Sequence, residues 1–219
     1  MKNSELFSLD KTIAAPLIAS GEYPWEILAG IREFIIRFGT HLDDKKYYKI
    51  GRCGWVAKSA KIAPSAVITG AVIIDEGAEI RHGAYIRGDA IIGKGAVVGN
   101  SSEVKSSILF DCAKAPHFNY VGDSVMGFGS HLGAGAVISN LKSDKSEVSV
   151  SYLGEKVYTG RRKFGAAIGD NVEIGCGAVL FPGSVIGKGA VIYPQASVRG
   201  YVAENTILKS SGTTVKKQL

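Results

Sequence analysis

Along most of this chain an aliphatic residue returns at every sixth position. Val56, Ile62, Ile68, Ile74, Ile80, Ile86, Ile92, Val98, Val104 and Phe110 form one unbroken run, with small alanines (Ala60, Ala66, Ala78, Ala84, Ala90, Ala96) four places after many of them. The count slips in phase over Asp111 to Pro116 and resumes at Tyr120, Met126, Leu132 and Ile138, then again at Ile168, Ile174, Leu180, Ile186, Ile192 and Val198. A helix asks for an apolar residue every three or four positions and a half-buried strand for every second one. One in six is what a coil of short flat sides and tight corners requires. The pattern therefore predicts an all-β hexapeptide-repeat solenoid, each coil burying its apolar side against the next.

Three stretches break the ladder. In residues 1–53 a segment from Pro24 to Phe38 reads as a helix opened by proline, with Trp25, Leu28, Ile31, Ile35 and Phe38 on one stripe. It is expected to be a helical cap over the first coil, whose edge strands need cover. The solenoid spans 54–202 and is interrupted at 141–164, where Ser149 to Tyr152 and Lys156 to Tyr158 alternate around Leu153-Gly154-Glu155, the pattern of an extruded hairpin. An excursion of that length is usually functional or an oligomer contact. Residues 203–219 form a polar, basic tail, expected to be partly disordered.

Composition narrows the partners. A net charge of +6 over 219 residues favours anions, but the basic residues gather only at Arg161-Arg162-Lys163 and in the tail, with no interleaved aromatics, which argues against nucleic acid. Three scattered cysteines without CxxC spacing fit reduced thiols, and the short apolar stretch near Ile13 is broken by Pro16, so a cytoplasmic location without a membrane segment is expected.

Among four histidines, His117 stands at a break in the ladder, near Lys114, Tyr120 and Asp123. An imidazole can take a proton from an attacking amine or hydroxyl, although a histidine in an irregular loop can equally well satisfy backbone groups. Arg87 and Lys105 are eighteen residues apart. If a coil takes three hexads, they stack on one face and suit a phosphate; two solvated surface cations are the plainer reading. Arg87-Gly88-Asp89 is also found in hexapeptide carbonic anhydrases, but His82, His117 and His131 lack the close spacing of a zinc set, so no metal is expected.

The stretch Lys114 to Leu141, with its H-x-x-Y-x-G-D core followed by GAG and Asn, resembles the acetyltransferase half of bifunctional UDP-N-acetylglucosamine pyrophosphorylase/glucosamine-1-phosphate N-acetyltransferases. The likeness continues through Arg161 to Ile192 and back to Tyr85-Ile-Arg-Gly-Asp-Ala. It implies a left-handed parallel β-helix, a homotrimer with active sites between subunits, and metal-independent transfer of acetyl from acetyl-CoA to an amino-sugar 1-phosphate, glucosamine or galactosamine 1-phosphate. By matching positions it implies His117 as the general base, and Arg87, Lys105, Tyr120 and Asn140 around the phosphosugar. It also puts Ala134 and Ala167 near the coenzyme, with Cys176 as a further candidate contact.

The chain departs from that pattern at three places. His131 replaces an Asn and is retained as a candidate substrate contact. Ser146 occupies the place of a loop lysine, with Lys145 close by as its candidate substitute. No uridylyltransferase domain is expected within these residues, and a separately encoded nucleotidyltransferase is a candidate partner. Two other readings stay open: a non-catalytic trimeric scaffold or sugar-phosphate sensor for such a partner, and an N-acetyltransferase acting on a nucleotide-linked amino sugar.

Overall fold

The structure, a computed structural model, describes residues 1–218; Leu219, the last residue of the predicted tail, lies outside them. From Gly54 to Leu208 the chain winds as a parallel β-helix with three faces. Coils align residue over residue, Val56 under Ile74 under Ile92 on one face and Ile68 under Ile86 under Val104 on another. Their inward side chains form one continuous core from Val56 to Leu208. Each fully buried aliphatic contributes roughly 1.5–3 kcal/mol of gross burial energy, offset largely by chain ordering.

The ladder departs from its simple count at one informative place. Leu109 and Val121, not Phe110 and Tyr120, point into the core. Leu109 pairs with Ile92 and Val121 with Val104, seventeen residues on instead of eighteen, because the corner at Ser106 is one residue short. A second short corner follows at Asp123. Ser106 and Asp123 take left-handed φ angles of 47° and 49°, which short polar residues tolerate better than most. The slip turns Phe110 outward against Phe7, ring centroids 5.1 Å apart, and turns Tyr120 to the outside of its face.

One face carries aliphatic residues on both sides. Its outward Ile73, Ile91, Ile108, Val125, Ala167 and Val185 form a second core with Leu6, Trp25, Leu28, Ile31 and Ile35 of the N-terminal segment. The helical stretch is shorter than expected and proline does not open it: Pro24 lies in a turn, a 3-10 turn spans Ile27–Gly30, and the helix runs Ile31–Gly39. The segment lies along the flank of the solenoid. Lys11 O accepts from Asp111 N, Leu6 O from Asp170 N, and Asp170 Oδ2 from Ser8 N at 2.8 Å, so its contacts reach well beyond the first coil. The first edge of this face is met by Tyr47–Ile50, antiparallel to Gly54–Ala57. At the far end the tail is ordered: Thr214–Lys216 pairs antiparallel with Thr206–Leu208 and shields that edge.

The excursion from Leu141 folds back as the antiparallel pair Ser149–Tyr152 and Glu155–Tyr158. It is closed at its base by a bridge between Leu141 and Lys163, and Phe164 N donates to Asn140 O at 3.1 Å. The excursion thus returns to the point at which it left.

Candidate active site

The strand Tyr120–Gly122 runs between two corners of the solenoid, and candidate groups gather at both ends. At its C-terminal end Lys105 Nζ meets Asp123 Oδ2 at 2.9 Å, with the two side chains 12% and 8% exposed. Asn140 Nδ2 donates to the same Asp123 oxygen, and to Tyr120 Oη at 3.3 Å. Gly122 makes this cluster possible. A Cβ at that position would stand 2.7 Å from both Asn140 Nδ2 and Tyr120 Oη. The missing side chain lets Tyr120 and Asn140 lie across the strand, and the short corner at Asp123 delivers the carboxylate between them.

The stacking of Arg87 and Lys105 follows from the strand register, but each cation already has an acid partner. Arg87 Nε approaches Glu103 Oε1 at 3.2 Å, an ion pair by distance whose N–H is not aligned, so that oxygen remains buried without a hydrogen bond. Lys105 is neutralised by Asp123. The uncompensated positive charge comes from the exit of the excursion: among the described residues no carboxylate pairs with Arg161, Arg162 or Lys163. With Asp123, Leu141 and Gly160 these three line an open cleft of about 540 Å³. Gly165 permits this close return, since a Cβ there would meet Gly122 O at 2.4 Å and Ser124 Oγ at 2.3 Å. Lys145, the candidate substitute for the loop lysine, and its neighbour Lys142 do not line this cleft. Lys142 Nζ donates to Glu147 O at 2.6 Å, and Lys145 contributes its carbonyl, which accepts from Arg162 Nε at 3.2 Å. Lys163 is therefore the lysine at the cleft.

His117 stands at the other corner, exposed, as the last residue of Lys114–His117 and paired with Asn100. Its position is fixed through the backbone. Asn119 Oδ1 accepts from His117 N at 3.0 Å, while Asn119 Nδ2 donates to Gly133 O at 2.9 Å and Ala136 O at 3.0 Å on the next coil. The imidazole has no protein hydrogen-bond partner among the described residues, so both ring nitrogens face solvent. Gly135 N donates to His117 O, and Gly177 N to Ala134 O, which places Ala134 and then Cys176 along the same corner on succeeding coils.

Three other candidates lie apart. Ala167 belongs to the helix-covered face and is fully buried there, with no surface open to a coenzyme in this chain. His131 is on the third face, its Nδ1 2.9 Å from Glu173 Oε2, in a column that continues to Lys114. Lys145 sits on the excursion with a left-handed φ of 59°. Sequence reasoning missed Asn119, Asp123 and Lys163 as site residues. The available signals were the polar Asn in a ladder break, the aspartate at a shortened corner, and the basic run at the end of an insertion. Within one chain, the strand between the corners spans about 10 Å, three residues at about 3.3 Å each, and Tyr120 at its His117 end reaches across to Asn140 of the Lys105 cluster.

Residues 68–164 match the family described as the GMPPB C-terminal domain. The chain is similar to a bifunctional sugar-1-phosphate nucleotidylyltransferase/acetyltransferase from Sulfurisphaera tokodaii, with 43% identity over 109 residues, covering 50% of this chain and 27% of that protein. A bifunctional protein GlmU from Methanococcus vannielii is 37% identical over 119 residues, 54% of this chain and 28% of its own length. The chain thus spans only about a quarter of the length of these relatives. Among solved structures, a GDP-perosamine N-acetyltransferase from Caulobacter crescentus, a histidine-to-alanine mutant with CoA and GDP-perosamine bound, aligns with 17% identity and a TM-score of 0.37, covering 85% of this chain and 66% of that one. Over about half of its length, this β-helix is a hexapeptide-repeat domain related to the acetyltransferase part of the bifunctional nucleotidylyltransferase/acetyltransferases.

Proposed function

We propose that the chain transfers an acetyl group from acetyl-CoA to the amine of a sugar that carries phosphate on its anomeric carbon. The observation that carries the reading is His117: an exposed imidazole, free of protein hydrogen bonds among the described residues, held by its backbone at a corner where Ala134 and Cys176 follow on the succeeding coils. The relatives' names supply the reaction class, and the cation-rich cleft at the opposite corner supplies an anchor for an anionic acceptor.

The chemistry is direct transfer. His117 takes a proton from the acceptor amine as its nitrogen attacks the thioester carbonyl, the N–C bond forms, and the C–S bond breaks. The imidazolium then returns the proton to the departing thiolate, giving amide and coenzyme A thiol with no acyl-enzyme. Lys105, Asp123, Asn140 and Tyr120 orient the sugar, while Arg161 to Lys163 neutralise its phosphate.

The proposed working unit is the homotrimer that the resemblance implies, with the His117 corner of one protomer facing the Lys105 corner of its neighbour. Release of coenzyme A thiol in the presence of amino-sugar 1-phosphates and of nucleotide-linked amino sugars tests the activity. Mixing tests its placement. His117→Ala and Asn140→Ala chains, each inactive alone, are expected to regain activity when refolded together, and no recovery would overturn the shared site. The cleft's three uncompensated cations exceed what one terminal phosphate requires, which favours a nucleotide-linked acceptor over a sugar 1-phosphate.

A further inference from the structure

The cleft beside Asp123 does not end at its basic wall. Leu141 forms a saddle between it and a second hollow of about 460 Å³, lined by Ser139, Lys142, Ser143 and Asp144 on one side and Phe181, Pro182 and Arg199 on the other. Here the Arg199 guanidinium lies over the Phe181 ring, 3.5 Å from its centroid. The register explains the stack. Val179 pairs with Ser197 and Leu180 with Val198, so Phe181 and Arg199 leave their strands at the same outward position on adjacent coils. Phe181 covers one face of the guanidinium plane, while Arg199 is exposed and has no carboxylate partner among the described residues.

Such a plane, buttressed from below and open above, is what a nucleobase stacks on. Opposite it, Asp144 is held by Ser146 N at 3.0 Å and Ser146 Oγ at 2.8 Å, and those bonds keep its carboxyl below the usual carboxylate range. An ionised acceptor at that rim suits ribose hydroxyls or base N–H groups. Across the saddle, Arg161, Arg162 and Lys163 present the donors and charge that two linked phosphates need.

We infer that the two hollows form one nucleoside-diphosphate subsite, with the base on Arg199–Phe181 and the diphosphate against Arg161 to Lys163, which places the linked sugar at the Lys105–Asp123–Asn140 cluster. The inference rests on the acetyltransferase reading for the acceptor's role, but the subsite itself is a binding site that stands or falls separately. Coenzyme A also contains a nucleoside diphosphate. The acceptor is assigned here because within one chain the subsite adjoins the sugar cluster, whereas Ala134 and Cys176, the residues matched to the coenzyme, stack along the His117 corner.

The test is calorimetric titration of the full chain with UDP, GDP, ADP, coenzyme A and inorganic pyrophosphate, in the wild type and in Arg199→Ala, Arg199→Lys, Arg162→Ala and His117→Ala. A nucleoside diphosphate is expected to bind at least tenfold more tightly than pyrophosphate. Arg199→Ala and Arg199→Lys should each lose about tenfold of that preference, because lysine restores charge but not the plane. Arg162→Ala should weaken pyrophosphate and nucleotide together, and His117→Ala should change neither. Equal binding of UDP and pyrophosphate, or full affinity in Arg199→Lys, would overturn the stacking platform. Competition of UDP by coenzyme A, with both weakened alike by Arg199→Ala, would assign the hollow to the coenzyme and overturn the acceptor subsite. Acetyl transfer to sugar 1-phosphates without nucleotide binding would sink this inference and leave the proposed function standing. Nucleotide binding without turnover on any acceptor would do the reverse.

Discussion

The two ends of the strand Tyr120–Gly122 are built in opposite ways. At the His117 end, order comes from a neutral amide: Asn119, 3% exposed, ties the His117 backbone to the next coil and leaves the imidazole unengaged. At the Asp123 end, order comes from charge, with Lys105, Asp123, Asn140 and Tyr120 bonded to one another beside Gly122. The group proposed to exchange protons is held through its main chain, and those proposed to orient the acceptor are held through their side chains. The difference separates what each corner can lose. Removing a side chain at the first should cost chemistry, and removing one at the second should cost structure as well.

The largest expected effect breaks the comparison if it fails. His117→Ala should lower turnover by about 10²–10⁴-fold, the usual contribution of a general base, with the melting temperature unchanged because the side chain supports nothing. A parallel loss of thermal stability would mean that the ring is structural, and the contrast between the corners would disappear. Asp123→Ala is the counterpart. It strands Lys105, 12% exposed, without its carboxylate, and breaking a buried pair in this way costs about 3–5 kcal/mol. Denaturant unfolding should show that loss, whereas the double variant Asp123→Ala with Lys105→Met should recover much of it.

Asn119→Ala sharpens the first corner. The variant removes the Asn119 amide from Ala136 O and from Gly133 O, which keeps Ala136 N as a donor, at a buried position, a cost of about 1–3 kcal/mol in denaturant unfolding. It also frees the His117 backbone, so turnover should fall further than the stability loss alone explains, and the coenzyme A KM should rise. Turnover that stayed at the wild-type level in the folded fraction would show that the backbone tie does not position the imidazole.

How far these corners could be read from the sequence follows from the same contrast. The six-residue period was sufficient for the solenoid, because one aliphatic in six satisfies no other regular structure. It was also sufficient to bring Arg87 and Lys105 onto one face. The period misassigned Phe110 and Tyr120 because a one-residue shortening at Ser106 is invisible when Leu109-Phe110 and Tyr120-Val121 each offer two apolar residues in a row. The segment before the repeat was legible as amphipathic, but not where it lies. The outward Ile73, Ile91, Ile108, Val125 and Val185, which draw it along the flank, form a second period that only the aligned coils reveal. Lys163 was hidden for a topological reason. Twenty-two residues separate it from Leu141 in the chain, and the bridge between them exists only once the excursion has closed.

The finest test of the contrast is a single methyl group. Gly122 has no left-handed φ, so Gly122→Ala carries no backbone strain of that kind; the atoms nearest its Cβ are the Asn140 amide and the Tyr120 phenol, at 2.7–2.9 Å. Both side chains must move, and the hydrogen bonds from Asn140 to Tyr120 and Asp123 go with them. The core beneath is untouched, since Val121 still points inward. If the Asp123 corner orients the acceptor, the acceptor KM should rise about tenfold, a loss of about 1.4 kcal/mol of positioning, while the coenzyme A KM holds. If the two KM values moved together, the corners would be one cooperating unit within the chain, and the division of labour between them would have to be abandoned.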